Sequence, residues 1–396
     1  MADHDDARRK RGLLTTLTRA GRSTENTARY VNPPVYRGST VLFDTVEDRQ
    51  RAVSSRYGRA VSYGVNGGAN HHALEDAVAA IEGGDRCQIV SSGAAACSVA
   101  LLSVLRSGEH VLVTDGVYGP TRQFCKSVLG NLGVEVTFYP PTISASELAL
   151  AFRPTTRAVF CESPSSHTFE VQDVPGIAGV ARQHGAVVIL DNTWGVHHFQ
   201  PFEHGVDISV QALTKYLSGH SDVCLGSVTV ASPQLFEQVR DMVLALGQYA
   251  SPDDCWLALR GARTLGLRLA HQHSAAIQVA EWLAAHPAVA QVLFPALSGA
   301  PGHDIWRRDF SGAASLFGVE FIDGFTIGKS HALLEALRLF RIGASWGGFE
   351  SLALPTTGYI ERLPAPDVGR SRVRLYVGLE APEDLIADLK QALDAC

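Results

Sequence analysis

Lys215 sits in Gln211-Ala212-Leu213-Thr214-Lys215-Tyr216 and is followed by Gly219-His220-Ser221-Asp222. Its neighbours Ser209, Thr214, Ser218, Gly219 and Ser221 are small or hydroxylic. In such a setting an amine can be partly desolvated, hold its proton less tightly and become free to form an imine. Upstream, the apolar run Val187-Val188-Ile189-Leu190 ends in Asp191, then Asn192-Thr193-Trp194. A lysine that holds an aldehyde and a carboxylate that keeps a pyridine nitrogen protonated are the two groups that pyridoxal phosphate chemistry demands. Each residue also has an ordinary reading, the lysine as a solvent-facing strand end and the aspartate as a helix cap or loop carboxylate.

Other residues could serve the same chemistry. Ser91-Ser92-Gly93-Ala94-Ala95-Ala96 follows a strand and opens a helix, where free N–H groups and the positive end of the helix dipole suit a phosphate. Thr214 is a second candidate for a phosphate oxygen. Tyr118, in Asp115-Gly116-Val117-Tyr118-Gly119, is either a ring that stacks on the pyridine or a core tyrosine. Arg374, in Arg372-Val373-Arg374-Leu375-Tyr376, either holds a substrate carboxylate with its planar fork or lies on the solvent face of a strand. His197 and His198 lack an acidic or cysteine partner at ligand spacing, so no metal is expected.

The elements that must carry these residues read as an α/β fold. Short β-branched runs at Cys87–Val90, His110–Thr114, Val134–Phe138, Ala158–Glu162, Val187–Asp191, Asp207–Ala212 and Leu225–Val230 alternate with helical stretches at Ala94–Leu105, Ser146–Ala151 and Pro175–His184. This is the pattern of a mostly parallel seven-stranded sheet. Asp173 is placed to cap the third helix, with proline in its first turn. Ligands of open α/β sheets bind beyond the carboxyl ends of the strands, where Glu162, Asp191 and the segment after Ala212 fall. Residues 1–60 read as an extended arm that packs on something else, residues 61–253 as the large domain and residues 254–396 as a smaller α+β domain. In the last, Ala262–Ala285 is helical and Ser315–Phe321, His331–Phe340, Val373–Val377 and Pro382–Ala395 supply further elements.

Composition excludes several classes. Of the 396 residues, 46% are hydrophobic and 19% charged, which is ordinary for a globular enzyme and unlike a disordered chain. A formal net charge of −6 leaves no basic stripe for nucleic acid, and the Arg8-Arg9-Lys10-Arg11 cluster reads as a solvated terminus. No apolar stretch approaches the roughly 20 residues that cross a bilayer. The mixed-charge start, Asp3-His4-Asp5-Asp6 before that cluster, lacks the apolar segment of a secretory signal, so the cytoplasm is the expected compartment. Seven scattered cysteines without a Cys-x-x-Cys pair read as buried, reduced thiols.

Taken together, Leu190–Trp194, Gly205–Asp222 and Gly343–Leu352, supported by Gly93–Ala96, Glu162–Ser165 and Leu375–Glu380, resemble the Cys/Met-metabolism family of fold-type-I pyridoxal phosphate enzymes, and within it the cystathionine β-lyase branch. The resemblance runs from about Asn32 to Asp388. It implies a large pyridoxal 5'-phosphate domain, a small C-terminal domain and a homotetramer built from dimers with sites between subunits. It assigns Lys215 to the internal imine and to moving the Cα proton, Asp191 to the pyridine nitrogen, Tyr118 to stacking, and Gly93, Ala94 and Thr214 to the phosphate. Ser345 and Arg374 fall to the substrate carboxylate. Trp346, in Ser345-Trp346-Gly347-Gly348-Phe349-Glu350-Ser351, stands where γ-acting relatives usually carry leucine, and Trp194 points the same way.

The family's Tyr-x-Arg-x-Gly segment, whose tyrosine and arginine reach the neighbouring subunit's phosphate, falls on Tyr63-Gly64-Val65-Asn66-Gly67. Tyr63 is kept, and Val65 replaces the arginine. Tyr57-Gly58-Arg59 is either a decoy or a shifted substitute, and Gly68-Ala69-Asn70-His71 departs from the usual Thr/Asn-Pro-Thr. Position 212, often serine in the family, is alanine. The expected activity is β-elimination from an L-cysteine S-conjugate, cystathionine above all, to homocysteine, pyruvate and ammonia. Another family reaction (γ-elimination, γ-replacement or a specialised β-elimination) is the alternative, and a non-catalytic scaffold the remote one.

Overall fold

The computed structural model describes residues 12–22, 29–358, 361 and 370–396. The charged run at 3–11 lies outside the described residues. Seven strands, β1 (Arg86–Val90), β2 (His110–Thr114), β3 (Glu135–Tyr139), β4 (Thr156–Glu162), β5 (Val187–Asp191), β6 (Ile208–Gln211) and β7 (Gly226–Val230), form one sheet in the order β1-β7-β6-β5-β4-β2-β3. β7 is antiparallel to both its neighbours, β6 and β1, while the remaining pairings are parallel. Every residue of β2 and β7 is buried. Helices cover both faces, which is why these strands read as unbroken apolar runs rather than alternating ones.

Local sequence sets the helix ends. The Ser92 hydroxyl accepts the Ala95 N–H at 3.1 Å and starts the helix Gly93–Val104. Asp173 accepts the Gly176 N–H and starts Val174–Gln183, with Pro175 in the first turn; both are N-caps of the kind the sequence suggests.

A second sheet is built from β8 (Val289–Leu293), β9 (Leu316–Phe321), β10 (Arg341–Ile342), β11 (Leu352–Pro355) and β12 (Arg372–Tyr376), in the order β10-β11-β12-β9-β8. It packs against the helices Leu265–Ala284, Ile327–Ala336 and Pro382–Asp394. The helical stretch around Ala262–Ala285 is two helices, Pro252–Ala262 and Leu265–Ala284.

The N-terminal segment differs from a wholly extended arm. Leu13–Arg19 and Val46–Ser54 are helical, the latter capped by Thr45, which accepts the Asp48 N–H. The first helix docks on its own chain: Leu17 is buried, and Arg263 donates to the carbonyls of Leu17 (2.6 Å) and Ala20 (2.8 Å). Apolar burial therefore decides where this segment goes. Residues 30–45, rich in proline near Asn32-Pro33-Pro34, stay irregular.

Beneath the strand ends lies Glu82, fully buried, whose carboxylate accepts from Ser209 on β6 and Thr229 on β7, each at 2.5 Å. Burial raises its pKa, with the Ser209 and Thr229 hydroxyls opposing. A carboxyl with a raised folded-state pKa contributes stability at low pH that is lost as pH climbs from its ordinary value of 4.5 toward the folded value. Glu82→Gln should therefore flatten the decline of unfolding free energy above pH 4.5, measured by urea denaturation across pH. Glu82→Ala, which leaves two buried hydroxyls unpaired, should cost about 2 kcal/mol at and below pH 4.5, and less as the pH climbs and the native protein loses the Glu82 contribution.

Candidate active site

A cavity of about 260 Å³ opens between the carboxyl ends of the first sheet and the edge of the second. From the first come Gly93, Ala94, Cys97, Tyr118, Glu162, Asp191, Thr193, Trp194, Thr214 and Lys215; from the second come Leu316, Ala344, Trp346 and Arg374. The position follows from topology, since parallel strands deliver their following loops to one edge.

Lys215 lies in the turn after β6 and donates from Nζ to the Ser345 hydroxyl at 2.9 Å. Its Nζ lies 5.5 Å from the centre of the Trp346 ring. Burial, then the positive charge of Arg374, pulls its pKa from 10.5 down to about 8. Gly347, at φ +86°, has no room for a side chain, because a Cβ there would lie 2.5 Å from the Tyr216 nitrogen. The Ser345–Gly348 loop can therefore close over the lysine only with glycine at 347.

Asp191 ends β5, open to the cavity but deep within the protein, and burial raises its pKa. Thr193 donates both its N–H (3.0 Å) and its hydroxyl (2.6 Å) to Oδ1, while Cys97 donates its thiol to Oδ2 at 3.7 Å. The Thr193 hydroxyl also accepts the Ala212 N–H at 2.9 Å. One side chain thus links the aspartate to the turn that carries Lys215. The sequence signal for this bridge is the Asp-x-Thr spacing of Asp191 and Thr193, which allows a local side-chain turn.

At the start of Gly93–Val104, the N–H groups of Gly93 and Ala94 have no hydrogen-bond partner among the described residues, since Ser92 caps through Ala95 and Ala96. A Cβ on Gly93 would come within 2.5 Å of the Ala212 side chain. Alanine at 212 and glycine at 93 therefore fit together at this turn. The Thr214 hydroxyl both donates to the carbonyl and accepts from the N–H of Leu225, so part of its capacity is already used.

Arg374, on β12, is 8% exposed. It donates to the carbonyls of Ala344 (2.8 Å) and Ser345 (3.4 Å), and burial brings its pKa down to about 10. Among the described residues it has no carboxylate partner. A buried, unpaired guanidinium facing a cavity favours an anionic ligand there. Tyr118 is half-exposed on the opposite wall and Trp194, tied to the Leu316 carbonyl at 3.0 Å, lies on the floor.

Tyr63 is not brought to this cavity. It lies half-exposed on a separate open hollow with Arg37, Val65 and Asp253, and Arg37 pairs with Asp253 there at 2.8 Å. Arg59 is bound to Glu75 at 2.9 Å and to Asp76 within its own chain. Asn70 clamps the arm, accepting the Tyr36 N–H and donating to the Pro34 carbonyl, each at 2.9 Å. His197 and His198 pack ring on ring, 4.0 Å between centres, and burial pushes their pKa values down to about 4 and about 3. No group among the described residues is arranged to hold a metal ion.

An amine of lowered basicity, a buried carboxylate with only a weak thiol contact on one oxygen, an anion cradle at a helix start and an arginine across the gap are what a pyridoxal-phosphate-dependent α/β enzyme requires. The chain belongs to the Cys/Met metabolism PLP-dependent enzyme family, whose model matches residues 14–394, and pyridoxal 5'-phosphate is accordingly its cofactor. It is 42% identical to the cystathionine beta-lyase of Bordetella avium, over 96% of each chain. It is 39% identical to cystathionine beta-lyase MetC of Escherichia coli, over 95% of this chain and 97% of that one. It is also 36% identical to an L-alanine/L-glutamate racemase of Wolbachia pipientis, over 95% of this chain and 96% of that one. Among solved structures, metB from Corynebacterium glutamicum superposes with a TM-score of 0.89 at 26% identity, covering 97% of this chain and 98% of that one.

Lys215 of the cofactor-free protein should react with trinitrobenzenesulfonate along a pH curve centred near about 8. Arg374→Met should move that curve upward, because the second cause of the shift is removed while burial remains. Mass spectrometry of the labelled peptide reads both, and a curve centred above 10 in the native sequence would reject this electrostatic account.

Proposed function

We propose that this protein is a carbon–sulfur β-lyase that cleaves L-cystathionine, or a closely related L-cysteine S-conjugate, with water to homocysteine, pyruvate and ammonia. The observation that carries this reading is the meeting of Lys215 and Arg374 in one cavity, both hydrogen-bonded to Ser345, a base beside a carboxylate-binding fork. The cystathionine beta-lyases among the relatives support the choice of substrate.

Bound pyridoxal phosphate supplies an electron sink for the charge that develops at the substrate Cα. The remaining work falls to the chain. Gly93 and Ala94 would present backbone N–H groups to the phosphate, with Thr214 beside them. Asp191 would keep the pyridine nitrogen protonated, using the carboxylate capacity left beyond the Thr193 donors and the weak Cys97 thiol contact. Tyr118 would stack on the ring. Arg374 binds the substrate carboxylate as a bidentate fork, a geometry lysine lacks. Lys215 takes the Cα proton, and its depressed basicity leaves part of the amine neutral near pH 7. Ser345 aims that amine, and Trp346 walls the cavity against water.

Tyr63 acts in a partner's site in this reading, which fits its place outside the cavity of its own chain, and the assembly is a homotetramer, a dimer of dimers. The cytoplasm is the proposed compartment, and the proposed units are the arm 1–60, the large domain 61–253 and the small domain 254–396. Arg59, committed to Glu75 and Asp76, is better read as a decoy than as a substitute for the missing arginine. Val65 and the altered Gly68–His71 segment therefore favour a specialised substrate within the same reaction class.

Incubation with L-cystathionine should yield pyruvate and homocysteine. The appearance of 2-oxobutyrate and cysteine would instead establish γ-elimination and overturn the proposal. Lys215→Ala should lower turnover by on the order of a thousandfold or more. Sedimentation velocity should give four times the chain mass of 42.4 kDa.

A further inference from the structure

Glu162 ends β4 and is the Cα partner of Asp191 across β4 and β5. It is 8% exposed and lines the cavity, yet the chemistry assigned above makes no use of it. Among the described residues no lysine or arginine pairs with it. Burial, then the neighbouring charge of Asp191, pushes its pKa up to about 8.

A buried carboxyl without a counter-ion is costly, so its contacts matter. Oε2 accepts the backbone N–H of Tyr118 at 2.6 Å, and Oε1 accepts the hydroxyl of Ser166. Those donors belong to two different loops: residues 115–119 carry Tyr118, and residues 163–169 carry Ser165, Ser166 and His167, which also line the cavity. The loops touch elsewhere, since the Ser166 N–H donates to the Gly116 carbonyl at 2.9 Å. A side chain at Gly116 would lie 2.3 Å from the Ser165 hydroxyl. Tyr118 is the N-cap residue of Gly119–Phe124, and no side chain caps that helix. The Glu162 carboxyl is therefore what anchors the Tyr118 backbone to the sheet.

We propose that Glu162 is a positioning residue: by accepting the Tyr118 N–H and the Ser166 hydroxyl together, it fixes the height of the Tyr118 ring over the cavity floor and so sets how tightly pyridoxal phosphate is held. This rests on the reading of Tyr118 as the stacking ring. An acceptor for the Tyr118 N–H is what the geometry demands, and glutamine keeps it in its carbonyl oxygen while its amide donates to the Ser166 hydroxyl, which can turn to accept. The Glu162 side chain, buried and held by both loops, orders the Tyr118 backbone before any ligand arrives, whereas a loop without it must be ordered by the ligand itself.

The test is a double-mutant cycle read by the dissociation constant of pyridoxal phosphate for the cofactor-free protein, measured by fluorescence titration. Glu162→Ala should weaken binding about tenfold, as expected for a lost hydrogen bond to a buried acceptor. Glu162→Gln should restore it to within about threefold of the native protein. In a Tyr118→Ala background, itself weakened, Glu162→Ala should change the constant by less than about twofold. An equal Glu162→Ala effect in both backgrounds would overturn the proposal, as would glutamine as damaging as alanine, which would assign the effect to charge. If Tyr118→Ala alone leaves the constant unchanged, the stacking role of Tyr118 fails and takes this proposal with it. An additive cycle leaves the stacking role intact.

Discussion

Four ionisable side chains, Asp191, Glu162, Lys215 and Arg374, surround one cavity without an ion pair among them. Thr193 satisfies Asp191, Tyr118 N–H and Ser166 satisfy Glu162, Ser345 accepts from Lys215, and two carbonyls accept from Arg374. Each contact orients its charge but does not neutralise it, so the cost of desolvation stays in the structure. A ligand with a protonated nitrogen, a phosphate and a carboxylate offers the complementary charges. The sheets can be understood as the scaffold that keeps these four groups near each other yet unpaired.

Electrostatics within the cavity explain why a lysine can act as a base here. Burial and the Arg374 charge both work against protonation of Lys215, while Asp191 works in the other direction. The acids experience the converse, since burial raises both and Asp191 raises Glu162 further. Burial and like-charged neighbours therefore bring Glu162 and Lys215 each to about 8, while burial moves Asp191 upward as well.

Much of this was legible in the sequence where physics leaves a local trace. β2 and β5 begin and end where the apolar runs do, because strands buried on both faces need no polar alternation, and Asp173 announced its helix. Edge elements left weaker traces: β8 is partly exposed and β10 is two residues long. The helix Pro233–Ala245, with its Ser232 cap and leading proline, carried signals that the strand-centred reading passed over. In the site, Lys215, Asp191, Gly93, Ala94, Tyr118, Thr214, Trp346 and Arg374 all reach one cavity, and Ser345 touches it through Lys215. Tyr63 does not, and lies on a separate hollow with Arg37, Val65 and Asp253. The roles of Thr193 and Glu162 are tertiary: a threonine bridging two strand ends and a glutamate serving two loops cannot be recognised before the loops are brought together.

The tie between Trp194 and the Leu316 carbonyl has a neighbour in the Tyr216 hydroxyl, which accepts the Ser315 N–H at 2.8 Å. Two aromatic side chains of the first layer are thus fastened to adjacent residues of the second, directly below the cavity. The two ties differ in what they ask of each side, because residues 315 and 316 offer backbone groups that almost any sequence supplies, whereas Trp194 and Tyr216 offer side chains. A chimera that transplanted the C-terminal portion from a relative would therefore keep its registration with Lys215 as long as positions 194 and 216 stay tryptophan and tyrosine.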